Sequence, residues 1–306
     1  RQNPHSWVLK QDGHDSSFTY VGEMPDGSDV LEILESLESS RGYLSEIKLI
    51  TLQRKIHGVE IGAARYFNGN DWVGPIELNI EHKHFSNGNI GPQTGEMGTV
   101  AWYSEDNKLF RKTLARLKPF LQEVNFKGDI DVNCIVTKNN AFPLEATARF
   151  GCPSTQLQQE INLSPWKEFL MAVAKGEPYE LKYKKGFGLV VSIAIPPFPY
   201  DVAPYKGYTK GAGIYFKREL TDAEWDKIHF EEVSLKNSAS HRKYQIAGSN
   251  GYVAYVTGMG DTVREARAQA YDLISEIVIP KMFYRTDIGE YFMGKNHELL
   301  NSWGWG

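Results

Sequence analysis

The stretch Pro143-Leu144-Glu145-Ala146-Thr147-Ala148-Arg149-Phe150-Gly151-Cys152-Pro153 decides how this sequence is read. Residues 141–148 alternate as a strand, and strand side chains point to opposite faces in turn, so Glu145, Thr147 and Arg149 share a face. A carboxylate and a hydroxyl can hold a hard cation there, while a guanidinium can meet phosphate. The preceding strand, 128–137, brings Asp129, Asp131 and Asn133 to one face by the same alternation, and Lys138-Asn139-Asn140 turns between the two strands. Acidic residues on strands that should be half buried point to a site rather than to solvated charge.

Upstream, His82-Lys83-His84 leads into Gly91-Pro92-Gln93-Thr94-Gly95-Glu96-Met97-Gly98. Glycines at this density let backbone N–H groups come close to a ligand, and a lysine beside such a loop suits phosphate. Thr94, Gly95, Glu96, Met97 and Gly98 are therefore read as a substrate-binding loop, with Lys83 as its catalytic cation. Nearer the start, Val8-Leu9-Lys10-Gln11-Asp12-Gly13 reads as a strand carrying one lysine into a polar turn, followed by His14-Asp15-Ser16-Ser17. Lys10 can reach nucleotide phosphates, and the Ser16 and Ser17 hydroxyls can donate to them.

The 306 residues are 41% hydrophobic and 24% charged, which places the chain among globular proteins. A net charge of −4 and pI near 6.1 give no reason to expect nucleic acid as a partner. Cys134 and Cys152 have no C-x-x-C partner, and the eight histidines form no zinc spacing, so neither a metal knuckle nor a disulfide framework is expected. No apolar run approaches the ~18 residues of a membrane span, and no signal peptide opens the chain; a cytoplasmic protein is the expectation. The sequence begins without Met on a strand already under way at Trp7, as if it started in mid-protein.

Elsewhere the pattern predicts a short helix after Ser28, strands over 47–56, 59–67 and 75–80, a loop over 82–98, and one helix over 106–124 with Leu109, Phe110, Leu114, Leu117 and Leu121 as its core stripe. Ser164-Pro165 opens a further helix ending near Gly176. Residues 188–195 form an apolar strand, and Thr221–Glu224 and Thr262–Glu265 are capping boxes. Trp303 and Trp305 among glycines read as a tail that docks on a partner. The class is α+β with largely antiparallel sheets.

Taken in order, these motifs resemble the phosphoribosylamine–glycine ligase (glycinamide ribonucleotide synthetase) family of the ATP-grasp superfamily. That family typically reads V-K-A-D-G, then D-H-K with G-P-N-T-G-G-M-G, then E-F-N-A-R-F-G-D-P-E. Pro204-Tyr205-Lys206-Gly207 with Lys210-Gly211, and Met282 to Gly289 with Glu265-Ala266-Arg267, resemble its C-terminal part. The resemblance implies an ATP-grasp fold of two α+β lobes sandwiching ATP, over 1–57 and 58–185, followed by a mixed α/β domain over 186–306. The family's N-terminal domain, about a hundred residues, is expected to be missing, cut away or supplied by another chain.

The resemblance further implies ATP and Mg²⁺ or Mn²⁺ as cofactors, small-molecule carboxylate and amine substrates, and no membrane partner. Lys10, Gln53, Glu60, Ser16 and Ser17 would contact ATP. Glu145, Asp131 and Thr147 would hold metal, and Arg149 and Lys83 would be catalytic. The implied reaction joins glycine to phosphoribosylamine through an acyl phosphate. Three departures favour rival readings: the turn at His14–Ser17 lacks the family's glycines, Glu96 replaces a Gly, and Thr147 replaces an Asn. The rivals are a ligase of the same mechanism with a different acid or amine, and a catalytically weak nucleotide-binding or scaffold protein.

Overall fold

A computed structural model describes residues 4–11, 19–39, 49–200, 210–237 and 242–306. Ser16, Ser17 and the Pro204–Gly207 motif lie outside the described residues. The chain divides into two compact units, Arg1–Gly58 and Val59–Gly306.

The first unit contains β1 (Trp7–Gln11), β2 (Thr19–Val21), α1 (Ser28–Ser39) and β3 (Ile50–Arg54). β1 is the middle strand, antiparallel to both neighbours. Leu9 is fully buried, paired across the sheet with Tyr20 and Leu52. Lys10 faces Thr19 and Thr51, and Val8 faces Gln53, so Lys10 and Gln53 lie on the face opposite Leu9. The Asp29 carboxylate fixes the entry to α1 by accepting from the backbone of Glu23 at 2.7 Å and Met24 at 3.2 Å.

The second unit is built on one large antiparallel sheet. Its strands are β4 (Val59–Asn68), β5 (Trp72–Glu81), β8 (Gly98–Ser104), β9 (Lys127–Val136), β10 (Ala141–Thr147), β11 (Phe187–Ala194), β13 (Ile228–Phe230) and β16 (Tyr252–Gly260). They run in the order β10-β9-β4-β5-β8-β11-β16-β13. The hairpins β6 (His84–Ser86) with β7 (Ile90–Gln93) and β14 (Val233–Asn237) with β15 (Arg242–Ile246) stand apart from it, as does the pair β12 (Tyr215–Phe216) and β17 (Ile277–Val278).

The two faces of the large sheet differ in chemistry. Ile61, Ala63, Leu78, Ile80, Val132, Cys134, Val100, Leu189 and Val191 fill the main core. Against it packs α7 (Val263–Ser275), which begins at a formed capping box, Thr262 with Glu265. Gly258 permits the approach, since a Cβ there would stand 2.2 Å from the Ala266 carbonyl. The other face carries rows of polar residues. One row runs Glu145, Asn133, Gly62, Asn79, Ala101 and Gly188; the next runs Thr147, Asp131, Ala64, Glu77 and Tyr103. Part of this face is covered by α4 (Ser154–Ile161), whose Leu157 and Ile161 pack on Ala101, Val190 and Tyr255. At Gly188 a Cβ would lie 2.6 Å from Leu157.

Several expectations change. The helix expected over 106–124 is broken into α2 (Lys108–Lys112), a 3₁₀ turn at Leu114–Leu117, and α3 (Lys118–Glu123). The break sits at Thr113 (φ −120, ψ −94), and Pro119 opens the second piece because it lacks an N–H to continue the first. The loop over 82–98 contains the β6–β7 hairpin. Beyond residue 185 the sheet continues without interruption, since β11 pairs with β8. As expected, the helix opened by Ser164-Pro165 forms, as α5 (Trp166–Lys175) ending at Gly176 in the left-handed conformation, and α6 (Asp222–Trp225) begins at the capping box of Thr221 and Glu224.

The C-terminal tail does not project to meet a partner. It carries α8 (His297–Trp303), and Trp305 is fully buried in the core. Its indole donates to the Thr137 carbonyl at 2.7 Å, and Lys108 Nζ lies 3.8 Å from its ring centroid. Asn107 both caps α2 and donates to the Trp305 carbonyl at 2.9 Å. Trp305→Ala should therefore destabilise the protein by roughly 3–5 kcal/mol, read as a lower urea midpoint. A midpoint equal to wild type would show that the tail is not part of the core.

Candidate active site

Lys83 lies two residues past the end of β5, where the chain turns into the glycine-rich loop. Its Nζ lies 2.5 Å from Glu145 Oε1, 3.3 Å from Glu81 Oε2 and 3.4 Å from Glu60 Oε1. The three carboxylates come from β10, β5 and β4. Burial works against the lysine charge, but Glu81, Glu60 and Glu145 outweigh it and raise the Lys83 pKa. Burial in turn raises the Glu60 pKa, with Lys83 pulling against it. Glu60, expected to contact ATP, is thus a partner of Lys83 in this structure.

Asp131 lies opposite Thr147 across the β9–β10 ladder, and Asn133 lies opposite Glu145. Asp131 Oδ2 accepts from Asn79 Nδ2 at 2.7 Å, while its Oδ1 is buried without a hydrogen bond. Burial, reinforced by Glu81, lifts the Asp131 carboxyl to about 7. Deeper on the same face, Gln158 from α4 donates to Glu77 at 2.9 Å and to Asp129 at 3.4 Å, and accepts from Tyr66 at 2.8 Å. Burial pushes Glu77 well above the usual carboxylate range. Glu77 and Asn79 were legible as the polar half of Ile76-Glu77-Leu78-Asn79-Ile80-Glu81. Gln158 carried no signal in the sequence, because a helix glutamine reads as solvated until its partners on distant strands are known.

Arg149 lies beyond the end of β10, exposed, with its guanidinium donating to the Phe150 carbonyl at 2.8 Å. Next to it, the Cys152 thiol donates to the Tyr255 hydroxyl at 3.3 Å, and that hydroxyl donates to Glu231. Both cysteines are free thiols.

The loop is fastened from two sides. Thr94 donates through both its backbone and its hydroxyl to the Lys83 carbonyl, at 2.8 and 2.7 Å. Met97, fully buried, donates to the His82 carbonyl, and Ser192 N donates back to Met97. Gly98 approaches β11 so closely that a Cβ would stand 2.5 Å from the Val190 carbonyl. His82 is buried, and burial with the nearby Arg285 lowers its pKa to about 4. Neutral His82 accepts from Gly289 N on Nε2 at 3.2 Å, which leaves Nδ1–H to donate to the Gly98 carbonyl at 3.2 Å. Arg285, 1% exposed, pairs in two-pronged fashion with Asp287 and donates to the His84 carbonyl at 2.9 Å. Asp287 also accepts from Gly88 N at 2.9 Å. The C-terminal motif thus works as a strap on the loop.

The oxygen donors on β9 and β10 suit a divalent ion of the Mg²⁺ type. Such an ion is commonly held by one or two carboxylates with substrate phosphates completing its shell. The unpartnered Asp131 Oδ1 and the half-exposed Glu145 fit that demand. Among the described residues no group of three or more His, Cys, Asp or Glu forms a closed protein cage. Lys10 and Gln53 lie in the first unit on one sheet face, half-buried and exposed respectively.

Residues 204–291 match the family described as Phosphoribosylglycinamide synthetase, C domain. The phosphoribosylamine–glycine ligase of Clostridium acetobutylicum is 27% identical over 254 residues, covering 79% of this chain and 56% of the relative. That of Listeria innocua is 28% identical over 273 residues, covering 85% and 62%. The chain therefore spans about three fifths of these relatives' length. A phosphoribosylamine–glycine ligase crystal structure from Thermotoga maritima matches 94% of this chain and 69% of its own, with TM-score 0.67 and 20% identity. The biotin carboxylase domain of Hydrogenobacter thermophilus 2-oxoglutarate carboxylase, in complex with MgADP and bicarbonate, matches at TM-score 0.56 and 12% identity, over 94% of this chain and 65% of that one. The fold is ATP-grasp.

The buried acids make stability pH-dependent. Asp129 releases its proton near 3.8 when unfolded, but burial lifts it to about 7 in the folded state. Between those values the unfolded chain binds fewer protons, so this group's contribution is present at low pH and lost as pH rises through 7. Asp129→Asn should unfold at a higher temperature than wild type at pH 8, with the gap closing toward pH 4. A pH-independent difference in calorimetry would contradict this.

Proposed function

We propose that this chain, a relative of the phosphoribosylamine–glycine ligases, is the ATP-using part of a ligase that joins a carboxylate to an amine through an acyl phosphate. The observation that carries this reading is the Lys83 cluster, one cation bound by carboxylates from three strands beside a glycine-rich loop. Lys10 would meet ATP phosphates and Gln53 the adenine, while Ser16 and Ser17 keep the phosphate roles that the resemblance implies.

Glu145 and Asp131, with Thr147 beside them, would hold Mg²⁺, which supplies charge neutralisation of the phosphates when bound. Lys83 is then drawn from Glu145 toward the transferred phosphoryl group, still oriented by Glu60 and Glu81. Arg149, exposed past the strand end, stabilises charge building on that group or on the acyl phosphate. The backbone of Thr94–Gly98 holds the acid or the amine near these cations. Catalysis is positioning and charge stabilisation.

Glycine and phosphoribosylamine are the proposed pair, giving glycinamide ribonucleotide, ADP and phosphate. A second reading, the same mechanism with another acid or amine, is favoured by Glu96, a buried carboxyl in a loop position where the family has glycine. ADP release should be detectable with glycine and phosphoribosylamine, or with one pair from a panel of acids and amines. Glu145→Ala should lower Mg²⁺-dependent release by about a hundredfold, with an unchanged melting temperature. ATP binding without turnover on any pair would sink the ligase reading.

A further inference from the structure

We propose that Tyr255 is a positioning residue for the ligation, its hydroxyl fixing the turn that carries Arg149. The inference rests on the ligase reading and on the place that reading gives Arg149, and it adds a residue to both.

Arg149 stands where the sheet ladder has stopped. The last pair of β10 is Thr147 with Asp131, and α4 begins at Ser154. On the helix side the turn is secured locally. Thr155 donates to the Gly151 carbonyl through its backbone at 3.0 Å and through its hydroxyl at 2.6 Å. On the other side the Arg149 guanidinium donates to the neighbouring Phe150 carbonyl, which fixes nothing against the sheet. Among the described residues, the turn's side-chain hydrogen bond to the sheet is the one from the Cys152 thiol to Tyr255 Oη, at 3.3 Å.

Tyr255 is a firm post for that bond. It is 3% exposed and packs with Leu157 and Ile161 of α4 and Val190 of β11. Across the sheet it pairs with Ser192 on one side and His229 on the other. Ser192 in turn holds the glycine-rich loop, donating through N to the Met97 carbonyl at 3.0 Å and through Oγ to the Glu96 carbonyl at 3.2 Å. The Arg149 turn and the loop are thereby anchored on paired residues of adjacent strands.

Glu231 sets the direction of the chain of bonds. It lies just past β13, on the face of His229 by alternation, and its backbone donates to the Val253 carbonyl at 2.9 Å. Its carboxylate accepts the phenol proton of Tyr255. With that proton committed, the phenol oxygen offers the turn lone pairs, and the thiol is the donor. A thiol donates weakly, but a hydroxyl that is itself donating to a carboxylate is a better acceptor, because linked hydrogen bonds polarise one another. Cys152 stands where the family motif has Asp. An aspartate here would compete with Glu231 for the single phenol proton, so the cysteine and Glu231 suit each other. A charge-stabilising group displaced by about 1 Å can cost a hundredfold in rate, so Tyr255 acts on the reaction through Arg149 without touching substrate.

The test is a double-mutant cycle between Tyr255 and Arg149, read as ADP release with Mg²⁺ and an acid–amine pair that the wild-type protein turns over. Tyr255→Phe should lower kcat at least about tenfold, with the KM for ATP within about twofold of wild type. In an Arg149→Ala background the same change should cost less than about twofold, because the group it positions is gone. Cys152→Ala should behave like Tyr255→Phe, while Cys152→Ser, which keeps a donor, should hold kcat within about threefold of wild type. Cys152 is exposed, so its variants carry the same cycle should Tyr255→Phe unfold. An equal loss in both backgrounds would make the contact a general structural one and overturn the proposal. Undiminished kcat in Tyr255→Phe or Cys152→Ala would overturn it as well. A wild-type protein that turns over no pair would instead remove the ligase reading on which the proposal stands.

Discussion

A buried ion pair, Arg285 with Asp287, holds the glycine-rich segment of the large unit in shape. A guanidinium that is 1% exposed is tolerable only when its charge and donors are met, and Asp287 meets them with two parallel hydrogen bonds. The remaining valences reach out to the glycine-rich segment, through the His84 carbonyl and Gly88 N. Tyr271 and Arg267 on α7 complete the arrangement by bonding to the carbonyls of Arg285 and Thr286 at 2.8 and 3.1 Å. A segment some two hundred residues downstream thereby sets the path of the loop, and with it the place of Lys83 and Glu96. This gives the C-terminal motif a mechanical reason to accompany the loop.

The large sheet separates two chemistries by the period of its strands. Apolar side chains gather under α7, and acids and amides gather on the opposite face. Carboxylates so crowded would repel one another, and the structure relieves this in three ways. Lys83 offsets part of the charge of Glu60, Glu81 and Glu145; Gln158 and Asn79 donate to the deeper acids; and burial holds Asp129 and Asp131 near the neutral form at moderate pH. Lys83 is thus the counter-ion shared by carboxylates from three strands.

Alternation along 128–137 and 141–148 was enough to set Asp131, Asn133, Glu145 and Thr147 on one face, and the β9–β10 register agrees with it. The two capping boxes were equally legible, since each is a local exchange of hydrogen bonds within four residues. The helix over 106–124 misled because its apolar spacing survives a break at Thr113 that only packing reveals. Trp305 misled for a related reason. A tryptophan among glycines looks like a loose tail until the distant Thr137 carbonyl and Asn107 are seen to bind it.

Read alone, the sequence determined most strands of the large sheet, the faces of β9 and β10, the glycine-rich loop and the residue types offered for phosphate and metal chemistry, because each follows from neighbours a few positions apart. β8, β13 and the β6–β7 hairpin were not legible in it. Tertiary structure alone decided that Glu60 belongs with Lys83, that Gln158 bridges Glu77 and Asp129, and that Arg285 governs the loop from the far end of the chain. Those choices depend on which strands become neighbours and on which charges lose their water together. Local spacing does not encode either one.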